Sequence, residues 1–130
     1  MTAPRLYRVI LPVSDIELAA KFYSHVFEID GERVSPGRHY FDCAGVVLAC
    51  YDPLADGDDV AQGWRHHENQ YIYFSVSDLE MIRGRIDEAG GHNLTDIETL
   101  PWGERMFYAL DPLGSRLSFV DENTLFVGSE

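Results

Sequence analysis

The five residues VSDLE at Val76–Glu80 repeat the five residues VSDIE at Val13–Glu17, with a single conservative change. Each copy follows a run of apolar and β-branched residues that is typical of a strand. Each copy also matches a capping box, in which the serine hydroxyl accepts a bond from a backbone amide and the glutamate reaches back. The chain is therefore predicted to contain the same strand-to-helix junction twice.

Apolar residues at helical spacing follow both copies of the junction and predict two amphipathic helices. The apolar stripe of the first helix contains Ile16, Ala19, Ala20, Tyr23, Val26 and Phe27, and that of the second contains Leu79, Ile82, Ile86 and Ala89. Glycines suit the left-handed conformation in which helices end, so Gly31 and the pair Gly90-Gly91 are predicted as the two stops.

Strand and turn patterns follow the first predicted helix. Strands are predicted near Val34, at His39–Cys43 and at Val46–Tyr51, with turns at Ser35-Pro36-Gly37 and Ala44-Gly45. This register places Cys43 opposite about Val46 and leaves Cys50 further along the hairpin. The two cysteines are therefore expected to remain reduced.

A hairpin is predicted near the other end of the chain, within PWGERMFYALDPLGSRLSFVDE at Pro101–Glu122. Arg105–Leu110 has the composition of a strand. Asp111–Gly114 matches a type I turn, because aspartate, proline and glycine stand at its preferred positions. Leu117, Phe119 and Val120 belong to the return strand. Trp102, at the bend before the hairpin, either leans over a cavity mouth or covers a core edge.

The predicted fold class is α+β, with two tandem β-α-β-β-β modules. Together they are expected to form a curved, roughly eight-stranded mixed sheet around a cleft, with the helices outside. We expect a single domain over residues 1–130, with modules at about 5–51 and 70–122 and a connection at about 52–69. The connection lacks periodicity and is rich in aspartate. At its end, His66, His67 and Glu68 are a weak metal motif or, more simply, surface side chains.

Composition excludes some functions. A net charge of −12 argues against nucleic acid, whose phosphates need cationic side chains. The same charge suits a cationic ligand or simply maintains solubility. No apolar run has membrane-spanning length, and Met1–Arg5 leads into a strand pattern without a signal peptide. We expect a cytoplasmic protein that binds neither membrane nor nucleic acid.

These features resemble the vicinal oxygen chelate superfamily, which includes glyoxalase I, extradiol dioxygenases, fosfomycin resistance enzymes and bleomycin resistance proteins. The resemblance is carried by the paired modules, by Val13, Asp15, Phe22 and Tyr23, and by the PWG and DPxG motifs of the hairpin. It implies a homodimer and, in the metal-dependent members, ligands of the His, Gln or Glu type on the first and fourth strands of both modules. In type, the chain is most similar to the bleomycin-resistance-like members that dispense with metal.

Matching the motifs places the four ligand positions at Arg8, near Leu48, at Tyr71 and at Ser118. None of these side chains is a useful ligand for a divalent metal, so no metal and no cofactor are expected. If the four matched positions were shifted by one residue, Gln70 would be the only neighbouring side chain that could bind a metal, and it would be a weak ligand.

The same positions predict ligand contacts at Arg8, Leu48, Tyr71, Tyr73, Trp102 and Ser118. Arg8 either binds a carboxylate or phosphate or forms a salt bridge across the sheet. Tyr73 shares one side of its strand with Tyr71, and that side faces either the cleft or the helix.

The predicted function is small-molecule binding without a metal, in which the protein binds or sequesters an organic ligand such as an aromatic or cationic one. The alternative is a metal-dependent lyase, isomerase or dioxygenase of the same superfamily. Catalysis stays open, because no nucleophile stands beside a base, whereas Tyr71, Glu104 or a histidine could act as an acid or base.

Overall fold

The computed structural model describes residues 3–60 and 63–126. The first part of the chain forms β1 (Arg8–Pro12), α1 (Ile16–Phe27), β2 (Glu32–Ser35), β3 (Arg38–Cys43) and β4 (Val46–Tyr51). The second part forms β5 (Tyr71–Val76), α2 (Leu79–Glu88), β6 (His92–Asn93), β7 (Glu98–Thr99), β8 (Arg105–Leu110) and β9 (Arg116–Asp121). The α+β class and the tandem order are confirmed. The second part differs in having two short strands, β6 and β7, before its hairpin.

The chain divides into two compact units at the boundary between His66 and His67. The sheet of the first unit has the order β1-β4-β3-β2, and that of the second has the order β5-β9-β8-β6, with β7 also paired to β8. The opening strand of each unit is parallel to its last strand, and the other pairs are antiparallel. Each unit is therefore a mixed sheet with its own helix.

Aspartates, rather than serines, cap both helices. Asp15 accepts from the Leu18 amide at 3.1 Å, and Asp78 accepts from the Met81 amide at 3.0 Å. The prediction that the preceding serines act as caps is therefore wrong by one residue. The aspartates are the last extended residues before each helix, and a carboxylate also interacts favourably with the positive end of the helix dipole. Glu17 contacts Arg33 at 2.7 Å instead of reaching back.

The predicted stop of α1 is also corrected. Glu28, not Gly31, takes the left-handed conformation directly after the helix, with a φ of 54°. Gly31, three residues further on, is also left-handed with a φ of 65°, and a Cβ there would lie 2.7 Å from the Tyr40 carbonyl oxygen. The Gly90-Gly91 stop of α2 is confirmed, since Gly91 donates to the Ile86 carbonyl at 2.9 Å.

Turn and cysteine predictions are confirmed in the described residues. The Gly114 amide donates to the Asp111 carbonyl at 3.0 Å, which closes the predicted turn. Cys43 pairs with Val46 across the β3–β4 ladder, whereas Cys50 pairs with His39, and neither cysteine forms a disulfide within the described residues.

The start of the predicted connection is folded, contrary to our interpretation. Leu54–Asp56 forms a turn of 3₁₀ helix, and the Asp56 carboxylate is buried. It accepts from the Ser35 hydroxyl at 2.8 Å and also contacts the Gly37 amide and the Arg38 guanidinium. An aspartate-rich segment resembles a solvated loop in sequence, but here one carboxylate holds the β2–β3 turn.

Among the residues that the structure describes, neither helix is long and apolar enough to span a membrane.

Candidate functional site in the second unit

Side chains alternate along β5 and place Tyr71 and Tyr73 on the same face of the sheet. Both tyrosines are exposed, by 38% and 54% respectively. Phe74, on the opposite face, stacks on the buried Phe119 with ring centroids 5.4 Å apart. Tyr73 is therefore not part of the helix-side core, and that alternative is ruled out.

Tyr108 completes a group of three rings, which we call the tyrosine cluster: Tyr71, Tyr73 and Tyr108. The Tyr108 ring centroid lies 5.1 Å from that of Tyr71 and 6.5 Å from that of Tyr73, both with edge-to-face geometry. The hydroxyl oxygens of Tyr73 and Tyr108 are 3.4 Å apart. Two strands thus supply three adjacent aromatic side chains on one face of the second sheet.

Ser118 stands in the same row, on the strand between the tyrosines. It pairs with Tyr73 on β5 and with Tyr108 on β8. Its side chain is fully buried, and its hydroxyl donates to the Phe107 carbonyl at 3.3 Å. Because the hydroxyl proton of Ser118 is already donated to a backbone carbonyl, Ser118 does not offer a donor to a ligand. It instead lies between Tyr73 and Tyr108 and sets the distance between their strands.

Glu104 adds a negative charge near the cluster. Its carboxylate accepts from the Trp102 indole N–H at 2.8 Å, and its charge helps to raise the pKa of Tyr73. The Trp102 side chain is 68% exposed, so it does not cover a core edge. Trp102 is instead oriented by Glu104 at the start of β8.

The Tyr73 hydroxyl is held in its neutral form. The hydrogen bond with Tyr108, followed by burial and by the charges of Tyr108 and Glu104, raises its pKa to about 12. A phenol of ordinary pKa, near 10, would ionise earlier. At neutral pH the cluster therefore presents the uncharged Tyr73 hydroxyl and three aromatic rings beside a carboxylate.

We expect Tyr108→Phe to lower the pKa of Tyr73 towards 10, because the hydrogen bond is the largest cause of the shift. NMR titration of the ring carbon that carries each hydroxyl would measure this. The raised pKa also stabilises the fold below pH 10, and this contribution should be lost as the pH rises from about 10 to about 12. An unchanged Tyr73 titration in the Tyr108→Phe variant would contradict the assignment.

Arg8 lies in the first unit, near two tyrosine rings. Its guanidinium donates to the Tyr7 hydroxyl at 3.4 Å and lies 5.0 Å and 5.1 Å from the ring centroids of Tyr7 and Tyr40. The hydrogen bond to Tyr7 raises the pKa of Arg8. Within residues 3–60 and 63–126 it forms no salt bridge, so the predicted ion pair across the sheet is not formed there.

Leu48 lies on the opposite face of the sheet from Arg8. It is 3% exposed and pairs with Val9 and with the buried Phe41. The next residue, Ala49, pairs with Ile10, just as Ser118 pairs with Tyr73 in the second unit. The structural counterpart of Ser118 is therefore Ala49, one residue beyond the position that the motifs indicated.

The matched positions do not fit a metal. They carry a guanidinium, an alanine methyl, a phenol and a serine hydroxyl that is bonded to a backbone carbonyl. Within the described part of the chain, no three His, Cys, Asp or Glu side chains are grouped as a metal site would require. His67, in the weak motif, accepts through Nδ1 from the Asn69 amide at 3.0 Å.

Sequence reasoning missed Tyr108, although one signal could have found it. The Asp111–Gly114 turn fixes the hairpin register, so that Leu110 faces Arg116 and Tyr108 faces Ser118. Counting back from the turn would have placed Tyr108 beside the predicted site residue. The predicted contacts divide between the units, with Arg8 and Leu48 in the first and Tyr71, Tyr73, Trp102 and Ser118 in the second.

The tandem order of strands and helices defines the class of protein: it has the vicinal oxygen chelate fold. The family model of the Glyoxalase/Bleomycin resistance protein/Dioxygenase superfamily matches residues 5–119. The chain therefore belongs to this superfamily, as its sequence motifs predicted.

Solved structures agree with this fold at low sequence identity. A glyoxalase-related enzyme from Fulvimarina pelagi aligns with a TM-score of 0.76 and 20% identity, over 98% of this chain and 94% of that one. A lactoylglutathione lyase from Agrobacterium tumefaciens aligns with a TM-score of 0.71 and 18% identity, over 94% and 96%. A glyoxalase/bleomycin resistance protein from Albidiferax ferrireducens T118 aligns with a TM-score of 0.71 and 15% identity, over 88% and 96%. These likenesses support the fold alone.

Proposed function

We propose that the protein binds a small organic ligand, aromatic or cationic, on the tyrosine cluster and without a metal. One observation carries the proposal: three tyrosine rings lie together on one sheet face, with a carboxylate beside them. Core rings normally lose their exposure, whereas Tyr71 and Tyr73 keep more than a third of theirs. Exposed, preorganised rings are suited to contact with a ligand.

The chemistry of the rings suits both ligand types. An aromatic group stacked on one tyrosine gains about 0.5–1.5 kcal/mol beyond simple burial. A cation over a ring face gains about 0.5–1 kcal/mol when exposed and about 2 kcal/mol when desolvated. The Glu104 charge and the net charge of −12 favour the cation. A ligand that is both flat and cationic would use all of these interactions.

The negative charge also affects the rate of binding. A cationic ligand should associate faster at low ionic strength, because a surface of opposite charge steers its approach. The gain should fade as the Debye length falls towards about 8 Å at physiological ionic strength.

Tryptophan fluorescence tests the proposal directly. Trp64→Phe leaves Trp102 as the only tryptophan and keeps an aromatic ring against Tyr51, whose centroid is 5.2 Å away. The probes are phenyltrimethylammonium and benzenesulfonate, which have a ring in common and carry opposite charges. We expect phenyltrimethylammonium to bind more tightly than benzenesulfonate. Tyr108→Ala should weaken the binding of phenyltrimethylammonium by roughly 2- to 12-fold, which corresponds to the loss of one ring contact.

Tyr108→Phe is the matched control, because it keeps the ring and removes only the hydroxyl. It should retain most of the affinity for phenyltrimethylammonium. Equal binding by the Tyr108→Ala variant, measured by calorimetry as well as fluorescence, would refute the cluster as the site. Arg8→Gln is included in the series to test the predicted contact at Arg8. A preference for benzenesulfonate that depends on Arg8 would transfer the binding role to that residue.

The metal-free state and the homodimer belong to the same proposal. Elemental analysis of tag-free protein should find no stoichiometric transition metal. About one metal ion per chain, retained after mild chelation, would instead support the metal-dependent lyase, isomerase or dioxygenase.

β1 and β5 are edge strands of their own sheets, and edge strands commonly pair in oligomers. Light scattering of the same sample would distinguish a dimer from a monomer.

A further inference from the structure

A basic groove lies beside α1 in the first unit, and we call it the α1 groove. It has a volume of about 480 Å³ and is lined by four nitrogen bases, Lys21, His25, Arg33 and His39, with Glu17, Ala20 and Ser24. Cationic side chains are scarce in this protein, which has 10 lysines and arginines against 22 aspartates and glutamates. Two of these ten cations, Lys21 and Arg33, line the α1 groove together.

Two neighbours hold the Arg33 guanidinium in place. Its Nη1 lies 2.7 Å from a Glu17 carboxylate oxygen, and its Nε donates to His39 Nδ1 at 3.2 Å. Since His39 Nδ1 accepts this bond, the ring proton is on Nε2, which donates to the Asp30 carbonyl at 2.8 Å. Within the described ranges 3–60 and 63–126, Arg33 Nη2 makes no hydrogen bond, so it can donate to a ligand.

Lys21 supplies the second cation and is the only lysine of the chain. It lies one helical turn after Glu17, on the exposed side of α1. Lys21 forms no ion pair with any carboxylate of residues 3–60 and 63–126. Its ammonium group and Arg33 Nη2 are thus two donors on the same groove.

The second unit shows that the fold does not require this groove. The two helices begin at equivalent aspartate caps, Asp15 and Asp78, so Lys21 corresponds to Gly84 and His25 corresponds to Glu88. The helix of the second unit therefore lacks both bases. The second unit folds without them, so the fold itself does not account for their presence in the first unit.

An arginine covers the equivalent space in the second unit. Ala20 corresponds to Arg83, and the strand registers make His39 the counterpart of Phe107. The Arg83 guanidinium lies 5.2 Å from the Phe107 ring centroid and donates to the Thr95 carbonyl. In the first unit the small Ala20 is buried, and the Arg33 guanidinium bonds His39, the counterpart of Phe107. The arginine at this place therefore comes from β2 in the first unit and from α2 in the second.

We propose that the α1 groove binds a phosphate dianion, either inorganic phosphate or the phosphate group of a small ester, through Lys21 and Arg33. A guanidinium fork and an ammonium group together suit the several oxygens of a phosphate. The groove is open to solvent, so an organic group attached to the phosphate can extend out of it. This site belongs to the first unit alone, and it stands or fails independently of the tyrosine cluster.

The single lysine provides a reporter. Protein labelled with ¹³C at the lysine ε carbon gives one lysine resonance, which is titrated with glucose 6-phosphate, glucose and inorganic phosphate. We expect a saturable shift with both phosphates and none with glucose. Tighter binding of glucose 6-phosphate would identify an ester as the ligand, whereas equal affinities would identify inorganic phosphate. A resonance that moves with neither phosphate would overturn the proposal.

Charge variants are compared by calorimetry with glucose 6-phosphate. Arg33→Gln and Lys21→Gln should each weaken binding by roughly tenfold, the fold-change expected when one charge-assisted hydrogen bond is lost. Arg85→Gln, which removes the same charge from α2 of the second unit, should leave the affinity unchanged. Equal losses in all three variants would mean that only net charge matters, and this would refute a built site.

Ala20→Arg separates the effect of the groove's shape on phosphate binding from the effect of its positive charge. It copies Arg83 of the second unit, so it adds a cation while filling the space over His39. A built groove should then bind glucose 6-phosphate several-fold more weakly, whereas stronger binding would show that surface charge alone attracts phosphate. Thermal melting checks that the variant is folded. Ala20→Leu, which fills the groove without a charge, gives the same comparison if Ala20→Arg is unstable.

Discussion

Phe107→Ala is expected to lower the free energy of unfolding by about 3–5 kcal/mol, the usual loss when a buried phenylalanine is truncated. The side chain is 1% exposed. It stacks on Phe119 with ring centroids 5.5 Å apart, and the Arg83 guanidinium lies 5.2 Å from the Phe107 ring centroid. Removing the ring would leave a cavity beneath the strand that carries Tyr108. Denaturant unfolding followed by circular dichroism measures the change.

Trp102→Ala is the matched control for this prediction, since it removes a larger ring from the same segment. Because Trp102 is 68% exposed, its loss should change the free energy of unfolding by less than about 0.5 kcal/mol. A Phe107→Ala variant that lost less than about 1 kcal/mol would contradict the packing described for the second unit.

Asp111→Ala is expected to destabilise the protein by about 2–4 kcal/mol. The aspartate is 1% exposed, and its Oδ1 accepts from the amides of Leu113 and Ser115, both at 2.9 Å. Alanine would remove a charged acceptor and leave two backbone donors of the turn without their partner. Unfolding by denaturant, compared with the unchanged protein, gives the size of the loss.

Asp111→Asn keeps an oxygen acceptor and should therefore retain most of the stability that Asp111→Ala loses. The turn also sets the register in which Tyr108 faces Ser118. A shifted register in the alanine variant would separate the Tyr73 and Tyr108 hydroxyls, and the NMR titration of Tyr73 would detect this. Two variants of equal stability would show that the carboxylate oxygen does not hold the turn.

Local patterns in the sequence predicted most of the fold. The repeated VSD[IL]E junction, the helical spacing of Ile16 to Phe27 and the DPLG turn all depend on residues within a few positions of one another. Periods of 3.6 and 2 and the turn preferences of proline and glycine act over the same short range. For this reason the helices and the hairpin could be predicted without coordinates, while the PWG and DPxG motifs carried the resemblance to the superfamily.

Errors of one residue arose where two neighbouring side chains could serve the same purpose. Serine and aspartate are both good caps, so the pattern could not decide between Ser14 and Asp15. Leu48 and Ala49 are both apolar residues of one strand, and only the ladder with β1 shows which of them shares a face with Arg8. A shift of one residue reverses the face of a strand side chain.

The sequence by itself determined the fold class and the duplicated unit, because those properties depend on short-range periodicity, and its motifs carried the resemblance to the superfamily. Only the tertiary structure brought Tyr73 and Tyr108 together across 35 positions, placed the buried Asp56 carboxylate on Arg38 and brought Arg33 to the α1 groove beside Lys21. Such contacts depend on strand register and on how side chains fill space, and residues distant in the chain meet only after the sheets have formed.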